Sequence, residues 1–125
     1  MKVLIFENQF DQLRIIFEAV KLLYFNGAMT FKELVSSQEM GDLTEAKAYD
    51  FIFVDIDLSK KSTLDGFQII EKLISLGYPK NKISVLTGWV NISEELKKRG
   101  ITDIQTVTKP PSIDAVYKAI KRGNP

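Results

Sequence analysis

Three observations predict an α/β fold built on a single doubly wound, five-stranded parallel sheet. Short apolar runs alternate with longer amphipathic segments along all 125 residues, the pattern of βα units whose helices cover a parallel sheet. The runs Val3-Leu4-Ile5-Phe6, Phe51-Ile52-Phe53-Val54 and Ile83-Ser84-Val85-Leu86 are continuous, as strands buried on both faces are; the segments Ala28 to Leu34 and Ile104 to Thr108 are mixed, as edge strands are. Asp55, Thr87 and Lys109 each close one of these segments. The second observation sets the strand order 2-1-3-4-5, with about five helices on the two faces. The third gathers three polar groups on the carboxyl rim, where open α/β sheets bind their ligands.

Each element follows from its residues. Lys2 to Phe6 forms the first strand. The first helix carries Phe10, Leu13, Phe17, Val20 and Tyr24 on one face and stops at Asn26-Gly27. In the second strand, Ala28 to Leu34, Met29 and Phe31 alternate with Thr30 and Lys32. Ser36 followed by Glu39 predicts a capping box for a short second helix through Met40, Leu43 and Ala46, which Gly41 weakens. The third strand ends at Asp55. Asp65-Gly66 opens a helix with Phe67, Ile70, Leu73 and Ile74 inward, and Gly77 and Pro79 end it.

The fourth strand ends at Thr87. Asn91 or Ser93 caps the fourth helix, whose first turn holds Glu94 and Glu95 and whose last holds Lys97, Lys98 and Arg99, in keeping with the helix dipole. The fifth strand leads to Lys109. After Pro110-Pro111, Ser112 caps a last helix with Ile113, Val116, Tyr117 and Ile120 on one face, ended by Gly123. Residues 1–125 form one domain, since this length builds one core and not two.

Composition narrows the chemistry. The apolar share of 45% and charged share of 26% are those of an ordinary globular domain, and a net charge of +1 gives no reason to expect nucleic acid or an anionic membrane as partner. No apolar stretch approaches the ~20 residues of a membrane span, and the start Met-Lys-Val-Leu-Ile-Phe-Glu turns acidic too soon for a signal peptide. With no cysteine there is no disulfide framework or thiol chemistry, which fits a cytoplasmic location. The absence of histidine removes the commonest general base and the commonest zinc ligand.

In the expected strand order Glu7 and Asn8, at the end of the first strand, lie beside Asp55, with Thr87 on the other flank. Two carboxylates ~5 Å apart at an effective dielectric of ~20 repel by ~3 kcal/mol, a cost that a cation in the gap offsets. Carboxylate, amide and carbonyl oxygens suit Mg²⁺, which brings phosphate oxygens into its shell. Such a site would use Asp55 as nucleophile, Thr87 as donor to a phosphoryl oxygen and Lys109 as a point charge against the transferred group. Asn8 is equally open to a simpler role, capping the first helix with Asp11 at its third position.

These residues resemble the receiver domains of bacterial response regulators, phosphorelay proteins with a flavodoxin-like fold. Lys2-Val-Leu-Ile-Phe-Glu7-Asn8 is similar to the family's first strand and acidic pair, Phe53-Val54-Asp55 to the phosphoacceptor strand, Asp65-Gly66 to the start of the third helix, Leu86-Thr87-Gly88 to the hydroxyl position and Lys109-Pro110 to the lysine motif. The resemblance spans nearly the whole chain. It implies a phosphoprotein in which Asp55 accepts a phosphoryl group from a sensor histidine kinase or phosphotransfer protein, with no turnover beyond self-catalysed phosphorylation and dephosphorylation. It implies Mg²⁺ held by Glu7, Asn8, Asp55 and the backbone carbonyl of Asp57. It implies signalling to a downstream protein, or a homodimer, through the fourth helix, fifth strand and fifth helix.

The chain also departs from that pattern. Asn8 stands where the second acid is usual, and losing ~3 kcal/mol of attraction would weaken Mg²⁺ about a hundredfold. The loop from Leu58 to Leu64 is longer than usual, lacks the family's proline and is expected to lay Ser59, Lys60, Lys61, Ser62 and Thr63 over the site. Thr106 occupies the position of the common aromatic switch. Trp89 is either a substitute for that switch or a loop tryptophan packed for stability. Asn8 and Thr106 favour a pseudo-receiver, a binding module that is not phosphorylated; Asp55, Thr87 and Lys109 favour phosphorylation. Asp55-Ile-Asp57 also resembles the Asp-x-Asp motif of haloacid-dehalogenase-type phosphatases, although only Asp114 follows Lys109 where those enzymes add an acidic pair. The turn Glu7-Asn-Gln-Phe-Asp-Gln12 lacks the Gly, Ser or Thr that would cradle a flavin phosphate.

Overall fold

The computed structural model describes residues 1–58 and 60–125. Its five strands are β1 (Lys2–Phe6), β2 (Thr30–Leu34), β3 (Phe51–Asp55), β4 (Ile83–Thr87) and β5 (Gln105–Thr108), all parallel and in the order β2-β1-β3-β4-β5. The predicted order and edge positions hold. Among the described residues four α-helices cover the sheet: α1 (Arg14–Phe25), α2 (Gly66–Ser75), α3 (Ile92–Lys98) and α4 (Ile113–Gly123). No helix among the described residues is long and apolar enough to cross a membrane.

The continuous apolar runs fill two layers because successive strand residues point to opposite faces. Val3, Ile5, Phe51, Phe53, Leu86 and Val107 pack under α1 and α4 against Phe17, Val20, Val116 and Ile120. Leu4, Phe6, Ile52, Val54, Ile83 and Val85 pack under α2 and α3 against Phe67, Ile70, Leu73 and Leu96. The parity that buries Val3 and Ile5 extends to Glu7, that of Phe51 and Phe53 to Asp55, and that of Val107 to Lys109. These three side chains therefore start from the same face of the sheet.

Several elements differ from the sequence reading. The predicted second helix is a pair of 3-10 turns, Ser37–Met40 and Leu43–Ala48, broken at Gly41, whose φ of 77° suits glycine. Ser36 makes no cap there. Glu39 instead accepts the Val35 N–H at 2.8 Å, and Asp42 caps the second turn by accepting from Thr44 N–H. Helix one begins as a 3-10 turn at Phe10–Gln12 with Gln9, not Asn8, at its N-cap, and Tyr24 is 42% exposed, stacked on Tyr117. Asn91 holds the N-cap position of α3 without a side-chain bond. Helix α4 runs through Gly123, where a Cβ would lie 2.5 Å from the Asn81 carbonyl and 3.0 Å from the Phe51 ring.

Other local readings hold. Asn26 and Gly27 end α1 with φ of 51° and 78°, Asp65 and Gln68 form a capping box on α2, and the Ser112 hydroxyl caps α4 by accepting from Ala115 N–H.

Candidate functional site at the carboxyl rim

Asp55 closes β3 with 1% of its surface exposed, opposite Leu86 of β4. One carboxylate oxygen, Oδ1, accepts the Asp57 backbone N–H at 2.9 Å; the other, Oδ2, accepts from Lys109 Nζ at 3.2 Å. Lys109 arrives because β5 pairs with β4 and its own N–H donates to the Thr87 carbonyl at 2.8 Å. Its ammonium also donates to Glu7 Oε2 at 2.9 Å. Glu7 is fully buried, its backbone N–H bonded to Leu34 O and its Oε1 accepting from Gln9 N–H at 3.1 Å. Residues 7, 55 and 109 thus form one cluster of two acidic side chains and a bridging ammonium.

The electrostatics follow from that burial. Desolvation and the neighbouring Glu7 charge raise the Asp55 pKa to about 6, against the opposing pull of the Asp57 N–H and Lys109. Burial alone would lower the Lys109 pKa, but its bond to Glu7 and the charges of Asp55 and Glu7 outweigh that, so it stays protonated with a raised pKa. The cluster is held by attraction across the Lys109 bridge and strained by repulsion between its two acids.

Thr87 is 2% exposed and stands at the flank of this cluster. Its Oγ1 accepts the Trp89 backbone N–H at 3.1 Å, which leaves its own O–H to donate. Trp89 turns its indole N–H onto Asp57 Oδ2 at 2.8 Å and sets its ring edge-on to Phe67, 6.0 Å between centroids. Phe67 in turn lies beneath the Arg99 guanidinium, 4.1 Å from the ring, and Arg99 pairs with Glu71 at 3.6 Å. Trp89 therefore ties the loop after β3 to the loop after β4, and the Phe67 and Arg99 contacts carry that tie into α2 and α3. No residue pattern marked this chain of contacts; the spacing of Phe67 and Arg99 in sequence gives no hint of it.

Asn8 is exposed and makes no side-chain hydrogen bond among the described residues, so it neither caps helix one nor joins the ionic cluster. It lines a cleft of about 670 Å³ with Asp57, Lys60, Trp89 and Arg99. Ser59 lies outside the described residues. Of the loop expected over the site, Lys60 lines this cleft, whereas Ser62 and Thr63 bond the Ser37–Met40 turn, which offers them hydroxyl and amide partners. Thr106 is exposed on the edge strand β5, in a groove with Pro110, Lys118 and Arg122. Asp114 pairs with Lys118 on α4 at 2.9 Å.

The donor chemistry fits a hard cation. Glu7 and Asp55 offer four carboxylate oxygens, each with one donor among the described residues and so with a lone pair to spare, and oxygen is what Mg²⁺ takes. No group of three or more acidic, His or Cys side chains is assembled among the described residues.

No family model matches the sequence, and no curated protein matches it. Solved structures do match. A signal receiver domain of a DNA-binding response regulator from Colwellia psychrerythraea 34H superposes with a TM-score of 0.74 at 19% identity, over 98% of this chain and 96% of that one. The receiver domain of NtrX from Brucella abortus gives 0.71 at 17% identity, over 97% and 96%. The chemotaxis protein CheY4 of Vibrio cholerae gives 0.70 at 16%, again over 97% and 96%. The chain has the receiver-domain fold. Within the receiver fold, Asp55, Thr87 and Lys109 occupy the carboxyl rim of three neighbouring central and edge strands, as the sequence reading expected of them.

Proposed function

We propose that this receiver-fold domain accepts a phosphoryl group on Asp55 from a phosphohistidine of a sensor kinase or phosphotransfer protein, and signals by protein contact. The observation that carries this reading is the buried Asp55 carboxyl held between the Asp57 N–H and the Lys109 ammonium at the rim of the sheet. A carboxylate oxygen of Asp55 forms the new P–O bond as the P–N bond to the partner's imidazole breaks, and the electron pair of that bond returns to the imidazole. The Lys109 ammonium, already paired with this carboxylate, offsets charge on the transferred group, and the Thr87 O–H is free to donate to a phosphoryl oxygen.

Glu7, Asp55 and the Asp57 carbonyl would hold Mg²⁺, with the Asn8 amide oxygen at the rim as a further, uncharged donor. Bound there, the ion would supply positive charge for the incoming phosphoryl oxygens. Contact with the downstream partner, or a second copy, is assigned to α3, β5 and α4, the elements that flank Thr87 and Lys109. On this reading the domain is an acceptor rather than a turnover enzyme, which is supported by the sequence after Lys109, where Asp114 stands alone and an Asp-x-Asp phosphatase would add an acidic pair.

Incubation with Mg²⁺ and phosphoramidate, followed by intact mass, tests the proposal. A single phosphoryl adduct that disappears in Asp55→Asn, with a change in Trp89 fluorescence, is expected. An unmodified wild-type chain would leave a pseudo-receiver that binds without phosphorylation, and sustained release of phosphate from a small phosphomonoester would make the domain a phosphatase.

A further inference from the structure

The turn after β2 and the segment before α2, about 25 positions apart, are stitched together by side chains of Ser37 and Gln38 in the turn and of Ser62 in the segment. The Ser37 N–H donates to Ser62 Oγ at 2.8 Å, the Ser62 hydroxyl donates to the Leu64 carbonyl at 2.6 Å, and the Leu64 N–H donates to Ser37 Oγ at 3.0 Å. Gln38 grips the neighbouring peptide units with both ends of its amide: Nε2 donates to the Lys61 carbonyl at 2.6 Å and Oε1 accepts the Thr63 N–H at 2.8 Å. A side-chain amide thereby pairs with a loop backbone in the way a strand neighbour would. Ser37 is 5% exposed, and its hydroxyl also donates to Gln38 Oε1 at 3.3 Å; the Gln38 side chain is exposed, so it adds little buried surface to this contact.

The docked segment leads directly to Asp55. Leu64 is followed by Asp65, which caps α2, and by Gly66, the first residue of that helix. Gly66 lies so close to β3 that a Cβ on it would overlap the Asp55 carbonyl oxygen and stand 2.6 Å from Ile56 Cα. At the near end of the same stretch the Asp57 N–H holds Asp55 Oδ1. A stretch of chain that leaves β3 at Asp55 and comes back against the Asp55 backbone has its return path set by where residues 61–64 are anchored.

We propose that Ser37 and Gln38 are positioning residues for Asp55: by docking the 61–64 segment they seat Gly66 against the Asp55 backbone and so set the aim of the Asp55 carboxyl group. Its consequence for phosphoryl transfer rests on the phosphoacceptor reading above; the positioning does not.

Amide exchange and chemical shifts of the whole domain, in wild type and in Gln38→Ala, Ser37→Ala and Ser37→Thr, test it. In Gln38→Ala the protection of Thr63 falls about tenfold, as loss of one or two surface hydrogen bonds predicts. The amide resonances of Asp55, Asp57 and Gly66 move, while those of Val3 to Ile5 and Ile83 to Val85 stay in place. Ser37→Ala does the same at Leu64, and Ser37→Thr, which keeps the hydroxyl, restores the wild-type pattern. Unchanged protection at Thr63 and Leu64 would overturn the dock. Lost protection with unmoved Asp55, Asp57 and Gly66 would overturn the positioning role. The phosphoramidate rate then separates the two proposals: a threefold or greater change in Gln38→Ala is expected, and an equal rate in a wild type that is phosphorylated would sink the consequence drawn here. A wild type that takes no phosphoryl group refutes the phosphoacceptor reading alone, and the resonances still decide the dock.

Discussion

Asp55 is a carboxyl group that the fold prefers protonated, and that preference is measurable. With its pKa raised from 3.8 to about 6, its favourable contribution to stability is complete below about pH 4 and is lost as pH rises through about 6. Asp55→Asn, neutral at every pH and similar in shape, should be more stable than the wild type by about 1–2 kcal/mol at pH 7.5 and equal to it near pH 4. Urea midpoints at the two values check this, and a gain that persisted at pH 4 would refute the assigned cause. Attack requires the ionised form, and a cation bound beside Asp55 would favour that form, so the titration near 6 is to be read in the metal-free domain. Asp57 allows a second test. Its carboxylate accepts the Trp89 indole N–H, a bond that the amide oxygen of Asn can keep, so Asp57→Asn removes charge without releasing Trp89. If Asp57 orients a water against the acyl phosphate, that variant should lengthen the life of the phosphorylated form several-fold; an unchanged lifetime would show that the indole tether is its role.

Helix α2 shows how one element ties the site to the core. Its first residue must be glycine for want of space, not for backbone freedom, because the Asp55 carbonyl oxygen and Ile56 Cα fill the place of a Cβ. Gly66→Ala should cost about 1–3 kcal/mol by forcing the helix start away from β3 and should shift the Asp55 titration. Gly88→Ala, where a Cβ meets nothing within 4 Å, should stay within about 0.5 kcal/mol; equal losses in the two variants would refute the crowding argument. The existence, order and edges of the strands were legible in the sequence because burial on one or two faces is written into strand composition. So was the trio of Asp55, Thr87 and Lys109, since strand ends in a parallel sheet share a rim. The second helix was not, because the spacing of Met40, Leu43 and Ala46 suits an α-helix or two 3-10 turns, and only the backbone at Gly41 separates them. Nor was the Ser37 and Gln38 dock, which depends on backbone groups of a loop whose path no periodicity encodes.

The whole domain divides its labour between two rims. The carboxyl rim crowds two buried acids around Lys109, whereas the opposite rim is fastened by hydrogen bonds around the start of β3. There Asp50 Oδ2 accepts the Lys2 N–H at 2.7 Å, the Asp50 N–H donates to the Lys2 carbonyl at 2.7 Å, and Asn124 Nδ2 donates to the Asp50 carbonyl at 3.1 Å. The adjoining Tyr49 carbonyl accepts the Tyr78 hydroxyl at 3.0 Å, whose pKa burial holds well above the ordinary value. One residue thus fastens β1, β3 and the end of α4. Asp50→Ala removes the side-chain bond but keeps the two backbone ones, so it should cost about 1 kcal/mol, read as a lower urea midpoint. The five residues of β3 separate this rim from Asp55 by about 16 Å at ~3.3 Å per residue, beyond the screening length of about 10 Å in 0.1 M salt. The Asp55 titration near 6 and its phosphorylation rate should therefore stand unmoved in Asp50→Ala. A shift of that titration by a whole pH unit would mean that the two rims are coupled through β3, and that the stability of one end sets the chemistry of the other.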